Sequence, residues 1–322
     1  MTGIRLWVLL ASLLASPVAV MAQDRRTPSP AGLSTIPFQG VEREYLLHKP
    51  PAQKGAVPLV IALHGLNQAV EGVRRSLAME PLADRENFAV LYPMAFKGHW
   101  SFDESLPVRL PQKDERIDDV GFINAIVDKL LAEGSVDASR IYATGLSNGG
   151  LMAWTLACHM SERLAGVAPL ISGMVDHQVE HCSPKRLVPL VVIAGTEDWM
   201  QPYDGAITEY FRLLSIPETL EFWRRQRGCR NYDMNMIDSR EPSDQTRAMI
   251  LDWTACKSPS PQRFYRIEGG GHSLPSLEPV SGSRRGPHGG SHSQTIETAE
   301  ELWKFFQAQR LELGTFSQSQ RF

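Results

Sequence analysis

The chain has 322 residues, 43% of them hydrophobic and 21% charged, and a formal net charge of −3 at pH 7. That length holds one large α/β domain or two small ones. The charge is spread without a long basic patch, which excludes nucleic acid as the expected partner.

Taken in chain order, the first segment opens with Arg5, runs apolar from Leu6 to Met21 and ends Val20-Met21-Ala22. A charged start, an apolar stretch and a small-residue end predict a signal peptide over residues 1–22, cleaved after Ala22. The apolar run does not extend to the ~20 residues of a membrane span, and no other stretch does. No cysteine follows the cleavage point to carry a lipid anchor. The expectation is a secreted or periplasmic protein, free of the membrane after cleavage. Residues 23–39, rich in Pro and Ser over 25–34, read as a flexible N-terminal segment, and 40–322 as a single domain.

Within that domain, apolar strands are predicted at residues 44–47, 58–63, 88–92, 141–144, 167–171, 188–194 and 264–267. Between them lie helical patterns. Residues 122–131 repeat apolar side chains at helical spacing, with Asp118 and Asp119 at their start. Ser215-Ile216-Pro217-Glu218 fits a capping box that opens a helix over 218–226. Residues 297–308 form a closing amphipathic helix. This alternation predicts an α/β fold: a mostly parallel central sheet with helices on both faces. The stretch 231–256 departs from it and reads as an insertion with one strand near 249–253. Residues 275–293 have no periodicity and read as a mobile loop.

The chemistry is concentrated at Gly145-Leu146-Ser147-Asn148-Gly149. A β-prone run (140–144) precedes this Gly-x-Ser-x-Gly pattern and a helix-prone run (151–157) follows it. Such a strand-to-helix turn strains the serine backbone and pushes its hydroxyl out at the sheet edge. Small residues are needed on either side, because side chains there would clash with the neighbouring strand and helix.

A nucleophilic serine needs a base, and the base needs an acid to orient it. The apolar run 187–194 reads as a buried parallel strand that ends in Gly195-Thr196-Glu197-Asp198. Asp198 just past its C-terminal end stands on the same rim as Ser147. The strand 263–267 empties into Glu268-Gly269-Gly270-Gly271-His272, whose glycines let the loop carry His272 over the edge. Ser147, Asp198 and His272 are therefore the catalytic candidates. Glu197 and Asp176 are rival acids. His288 and His292 read as solvated loop residues, and His64 as a histidine bonded to backbone in the loop after strand 58–63. The oxyanion hole needs two backbone N–H donors, assigned to Asn148 and, in the loop His64-Gly65-Leu66-Asn67-Gln68, to Leu66. Neither a metal nor an organic cofactor is required by this machinery.

Cys158, Cys182, Cys229 and Cys256 allow three pairings. An exported chain meets an oxidising compartment, so two disulfides are expected. The pairs that close short loops are Cys158–Cys182 and Cys229–Cys256.

These motifs together make the chain resemble the secreted α/β-hydrolase esterases of the polyhydroxybutyrate depolymerase and feruloyl esterase family. The resemblance spans about residues 44–306. It rests on Leu63-His64-Gly65, Asp118-Asp119-Val120-Gly121-Phe122, the Ser147 pattern extended by Gly150, Gly195-Thr196-Glu197-Asp198 with Pro202-Tyr203, and Gly269-Gly270-Gly271-His272. It implies the same three roles for Ser147, Asp198 and His272. Two positions depart from the family pattern: Leu274 stands where a Trp is frequent, and Leu66 where a Cys is frequent. Both are expected near the acyl pocket.

The activity that follows is hydrolysis of carboxylic esters through an acyl-enzyme. The partner is then a small-molecule or oligomeric ester of feruloyl, acetyl or hydroxyalkanoate type. Trp100 and Trp199, on loops after strand ends, are candidates with Leu274 for the substrate wall. A serine peptidase on the same fold and a non-catalytic hydrolase-like binding protein are the competing classes.

Overall fold

The computed structural model describes residues 32–102, 117–278 and 290–312. The predicted signal peptide, the Pro/Ser-rich part of the segment after it up to residue 31, and His288 lie outside these residues. From Gly32 onward the chain forms one compact unit.

The first correction comes at its start. Residues 33–38, expected in a flexible segment, are strand β1 (Leu33–Phe38). It pairs antiparallel with β2 (Val41–His48) across a turn at Gln39 and Gly40, both with positive φ. Its side chains are half-buried or exposed, so it carries little of the apolar alternation that marks a strand in sequence.

The next stretches follow the expected order. They are β3 (Val57–Leu63), α1 (Val70–Leu77), α2 (Glu80–Glu86), β4 (Ala89–Pro93), α3 (Asp119–Ala132), β5 (Val136–Leu146), α4 (Asn148–His159), β6 (Gly166–Leu170), α5 (Asp176–His181) and β7 (Leu190–Gly195). After β7 comes a small hairpin, β8 (Ala206–Ile207) and β9 (Arg212–Leu213), then α6 (Ile216–Arg227). The last elements are β10 (Asn231–Asp238), β11 (Arg247–Thr254), β12 (Gln262–Glu268) and α7 (Thr298–Phe306).

Ten of these strands form one sheet in the order β1-β2-β4-β3-β5-β6-β7-β12-β11-β10. The run from β4 to β12 is parallel throughout, and an antiparallel pair closes each edge. The 231–256 stretch is therefore no separate insertion with one strand. It is a hairpin that extends the main sheet. β10 is the outer strand, exposed along nearly its whole length, so no buried face marks it in the sequence.

Alternate residues of the parallel strands feed two cores. Leu59, Ile61 and Val192 pack against α3, α4 and α6, whereas Val60, Val90 and Ile193 pack against α1, α2 and α7. Strands covered on both sides read as unbroken apolar runs, which is why β3, β4 and β7 were legible. Local caps made the helices legible as well. The Asp118 carboxylate accepts the Gly121 N–H at 2.6 Å, and a Cβ at Gly121 would sit 2.1 Å from the same carboxylate. Ser215 and Glu218 form the expected capping box of α6.

Both expected disulfides are present. Cys158–Cys182 ties α4 to the end of α5, and Cys229–Cys256 ties the end of α6 to the chain leaving β11. No helix among the described residues is long and apolar enough to cross a membrane.

Candidate active site

The sheet reverses its direction of growth at β3. β4 is laid down on one side of it and β5 on the other. The connections after β3 and β5 therefore diverge, and a crevice opens between their carboxyl ends. Ser147 stands at that crevice as the single residue between β5 and α4.

Its backbone has φ 57 and ψ −118, a conformation that non-glycine residues seldom adopt. Strain of this kind costs about 1–3 kcal/mol and persists only where neighbours hold it. Here the Ser147 N–H donates to the Leu170 carbonyl at 3.1 Å, and its carbonyl accepts the Leu151 N–H at 3.0 Å. The flanking glycines are sterically required. A Cβ at Gly145 would lie 2.2 Å from the Gly149 carbonyl oxygen, and one at Gly149 would lie 2.3 Å from that of Leu63.

Asp198 and His272, from the loops after β7 and β12, are in contact. His272 Nδ1 donates to Asp198 Oδ2 at 2.7 Å. A carboxylate can only accept, so Nδ1 carries the proton and Nε2 is the basic nitrogen. Asp198 is buried, and its other oxygen accepts the N–H groups of Met200 and Gln201, both at 2.9 Å. The rival acids are engaged elsewhere. Glu197 accepts the Gly290 N–H, and Asp176 accepts the N–H groups of His177 and Arg212 at the start of α5.

His64 has the structural role expected of it. Its Nδ1 donates to the Gly65 carbonyl at 2.7 Å and its Nε2 accepts the Ala95 N–H at 3.0 Å. That pair of partners fixes a neutral tautomer, and burial lowers the pKa below the ordinary 6.5. The ring thereby locks the loop that follows β3. In that loop the N–H groups of Gly65 and Asn67 are taken by Gln68 and by the Gly98 carbonyl. Among the described residues no hydrogen-bond partner takes the N–H of Leu66 or of Asn148.

A cavity of about 420 Å³ contains Ser147 and His272 together, with Leu66, Met200, Leu274 and His292 in its wall. Leu66 and Leu274 thus line the same cavity as Ser147. His292 is a correction: it is half-buried in this wall rather than a solvated loop residue. The reason is a bridge between Gly270 and Ser291, which draws the chain from 290 onward against the His272 loop. Trp199 is exposed at 45% beside Asp198, but the wall residue is its neighbour Met200.

Trp100 is a second correction. It is only 2% exposed and forms no part of the cavity wall. Its indole N–H donates to the His64 carbonyl at 2.9 Å, and its backbone N–H donates to Asn148 Oδ1 at 2.8 Å. Trp100 therefore braces the loop after β3 against the start of α4. The Asn148 side chain thus has a structural part that the serine-turn pattern, which bears on its N–H alone, does not signal. A larger cavity, about 640 Å³, shares none of these residues and is lined by Asp118, Asn124, His159 and Gln178 among others. The Asp198-bound His272 and the strained Ser147 turn both lie at the smaller one.

Residues 43–183 match the family model described as Esterase PHB depolymerase. The matched span includes Ser147 and ends before Asp198 and His272. NocK of Nocardia uniformis subsp. tsuyamanensis, an esterase by its description, is 29% identical over 253 residues, 73% of this chain and 72% of its own. The bifunctional acetylxylan esterase/xylanase XynS20E of Neocallimastix patriciarum is 23% identical over 74% of this chain, which spans 32% of that longer relative. Among solved structures, the acetyl xylan esterase from Aspergillus awamori superposes with a TM-score of 0.56 at 12% identity, over 86% of this chain and 99% of its own. The fold is that of the α/β-hydrolases, and the resemblance to this esterase family is borne out.

Proposed function

We propose that this relative of the polyhydroxybutyrate depolymerase and feruloyl esterase proteins hydrolyses carboxylic esters with Ser147 as nucleophile, His272 as general base and Asp198 as its orienting acid. The observation that carries the reading is the Asp198–His272 hydrogen bond at 2.7 Å in a loop that shares one cavity with the strained Ser147.

Nε2 of neutral His272 takes the Ser147 hydroxyl proton as the oxygen attacks the carbonyl carbon. Asp198 holds the tautomer and stabilises the imidazolium. The Asn148 and Leu66 N–H groups receive the oxyanion. His272 then returns its proton to the departing alcohol. Water, deprotonated by the same nitrogen, cleaves the acyl-enzyme and frees Ser147. The alcohol and acid products take up the elements of one water molecule.

The substrate class is an ester of acetyl, feruloyl or hydroxyalkanoate type, small enough for a 420 Å³ cavity to enclose its acyl part. Two disulfides support export to an oxidising compartment, with residues 1–22 as the signal.

Turnover of p-nitrophenyl butyrate tests this reading. Ser147→Ala is expected to lower kcat by about 10⁴–10⁶-fold with the fold intact. Equal rates in wild type and variant would remove the esterase assignment. Parallel assays on methyl ferulate, acetylated xylan, hydroxybutyrate oligomers and peptide anilides rank the substrates and expose any peptidase preference.

A further inference from the structure

We propose that Glu197, the residue before the catalytic acid, is a positioning residue that holds His272 in place through a staple formed by residues 290–294. This rests on the assignment of His272 as the general base.

The His272 loop has little rigidity of its own. It leaves β12 through three consecutive glycines, the first with φ +70. Glycine gives the backbone the most freedom to lose on ordering, so the histidine ring is only as fixed as the bonds around it. One side of the loop is sewn to the acid-bearing loop after β7. Thr196 N–H donates to the Ile267 carbonyl, Gly269 N–H donates to Thr196 Oγ1, and Glu197 N–H donates to the Gly270 carbonyl, all at 2.9 Å. Contact here is tight enough that a Cβ at Gly195 would lie 2.3 Å from the Gly270 oxygen.

The other side is held by the returning chain. Gly271 N–H donates to the Ser291 carbonyl at 3.0 Å, and Ser291 N–H donates to the Gly269 carbonyl at 2.8 Å. Gly290 lies directly on Gly271. A Cβ there would come 2.4 Å from the Gly271 Cα and 2.7 Å from the Glu197 carbonyl oxygen, and its φ is +69. The Glu197 carboxylate accepts the Gly290 N–H at 3.1 Å. Further along, Asp244 accepts the Gln294 N–H at 2.7 Å, and Thr246 Oγ1 donates to Ser293 Oγ at 2.7 Å.

Residues 290–294 are therefore gripped at one end by Glu197 and at the other by the turn between β10 and β11. Between the grips they press on the glycine that precedes His272. Adjacent side chains diverge, so Asp198 reaches the imidazole while Glu197 reaches the chain packed behind it. Neighbouring acids thus orient one base from two sides, directly and through the staple.

The test compares kcat and KM for p-nitrophenyl butyrate in Glu197→Ala, Glu197→Asp, Glu197→Gln and Gly290→Ala, at a temperature where circular dichroism shows each to be folded. Ser147→Ala and His272→Ala are run beside them. Glu197→Ala is expected to lower kcat about 10–100-fold, in line with the cost of a small misplacement, with KM within about twofold. Glu197→Gln keeps an oxygen at the same reach and is expected to recover most of the rate. Glu197→Asp keeps the charge and loses the reach, and is expected to fall with Ala. Gly290→Ala acts on the same contact, so the Glu197→Ala/Gly290→Ala double variant is expected to be no worse than the poorer single one.

Wild-type kcat in Glu197→Ala and Glu197→Asp, with only a lower melting temperature, would overturn the proposal and leave the triad standing if His272→Ala is inert. Full additivity in the double variant would overturn it as well. Full activity in His272→Ala would overturn both readings.

Discussion

At Ser147 the φ of 57 that a serine seldom adopts is held by its bonds to Leu170 and Leu151 and by two glycines where a side chain would force the facing backbone to shift. This part of the site was legible, because the steric need for small neighbours is local and leaves its mark in five consecutive residues. The sequence favours Asp198 over its neighbour Glu197 from the strand end alone; what each carboxylate meets is not local, since Asp198 bonds the His272 ring and Glu197 the returning chain at Gly290. In the family the chain resembles a larger side chain is frequent at the position of Leu274, which lines the cavity. Leu274→Trp should shrink the acyl space. The expected outcome is a rise of about tenfold in the kcat/KM ratio of p-nitrophenyl acetate over octanoate, a size discrimination that pockets of this kind achieve. An unchanged ratio would mean that the acyl chain lies elsewhere in the cavity.

Among the elements, helices and central strands were read most closely. Caps such as Ser215 with Glu218 act within four residues, and strands buried on both faces are apolar without interruption. The edge strands β1 and β10 were missed because their pairing is decided by a neighbour and not by a buried face of their own. The disulfides cross-link elements at the base of α6 and at the end of α4, away from the serine turn. Each closes a loop, of 24 residues for Cys158–Cys182 and 27 for Cys229–Cys256. Loop-closure entropy assigns each about 3.5 kcal/mol. The paired variant Cys229→Ser/Cys256→Ser is expected to lose about that much in a urea titration while the folded fraction keeps its esterase rate. A loss of rate without loss of stability would place this bridge in the active site.

For the molecule as a whole, the crevice between β3 and β5 arises from strand order alone, and His64 is where that order meets pH. The ring is buried and neutral, and burial lowers its pKa from 6.5. The unfolded chain therefore binds the proton first. The contribution of His64 to stability is undiminished above pH 6.5 and is lost as the pH drops below it. The slope from this group is at most about 1.4 kcal/mol per pH unit. Urea titrations between pH 5 and pH 8 on wild type and His64→Gln check this. The wild type is expected to lose more stability than the variant on the acid side. Equal slopes would show that His64 takes no part in acid unfolding.

By itself the sequence determined the alternation of strands and helices, the serine turn, the chain order of Ser147, Asp198 and His272 along the strand ends, and the cysteine pairs. Each depends on spacing along the chain or on the steric needs of adjacent residues. Only the tertiary structure decided that Trp100 is a brace and not a substrate wall, that His292 enters the cavity, and that Glu197 clamps the chain behind His272. Those outcomes depend on which distant segments the sheet order brings together. Contacts between residues 48 to 93 positions apart, such as Asn148 with Trp100 and Glu197 with Gly290, leave no periodic trace in the chain.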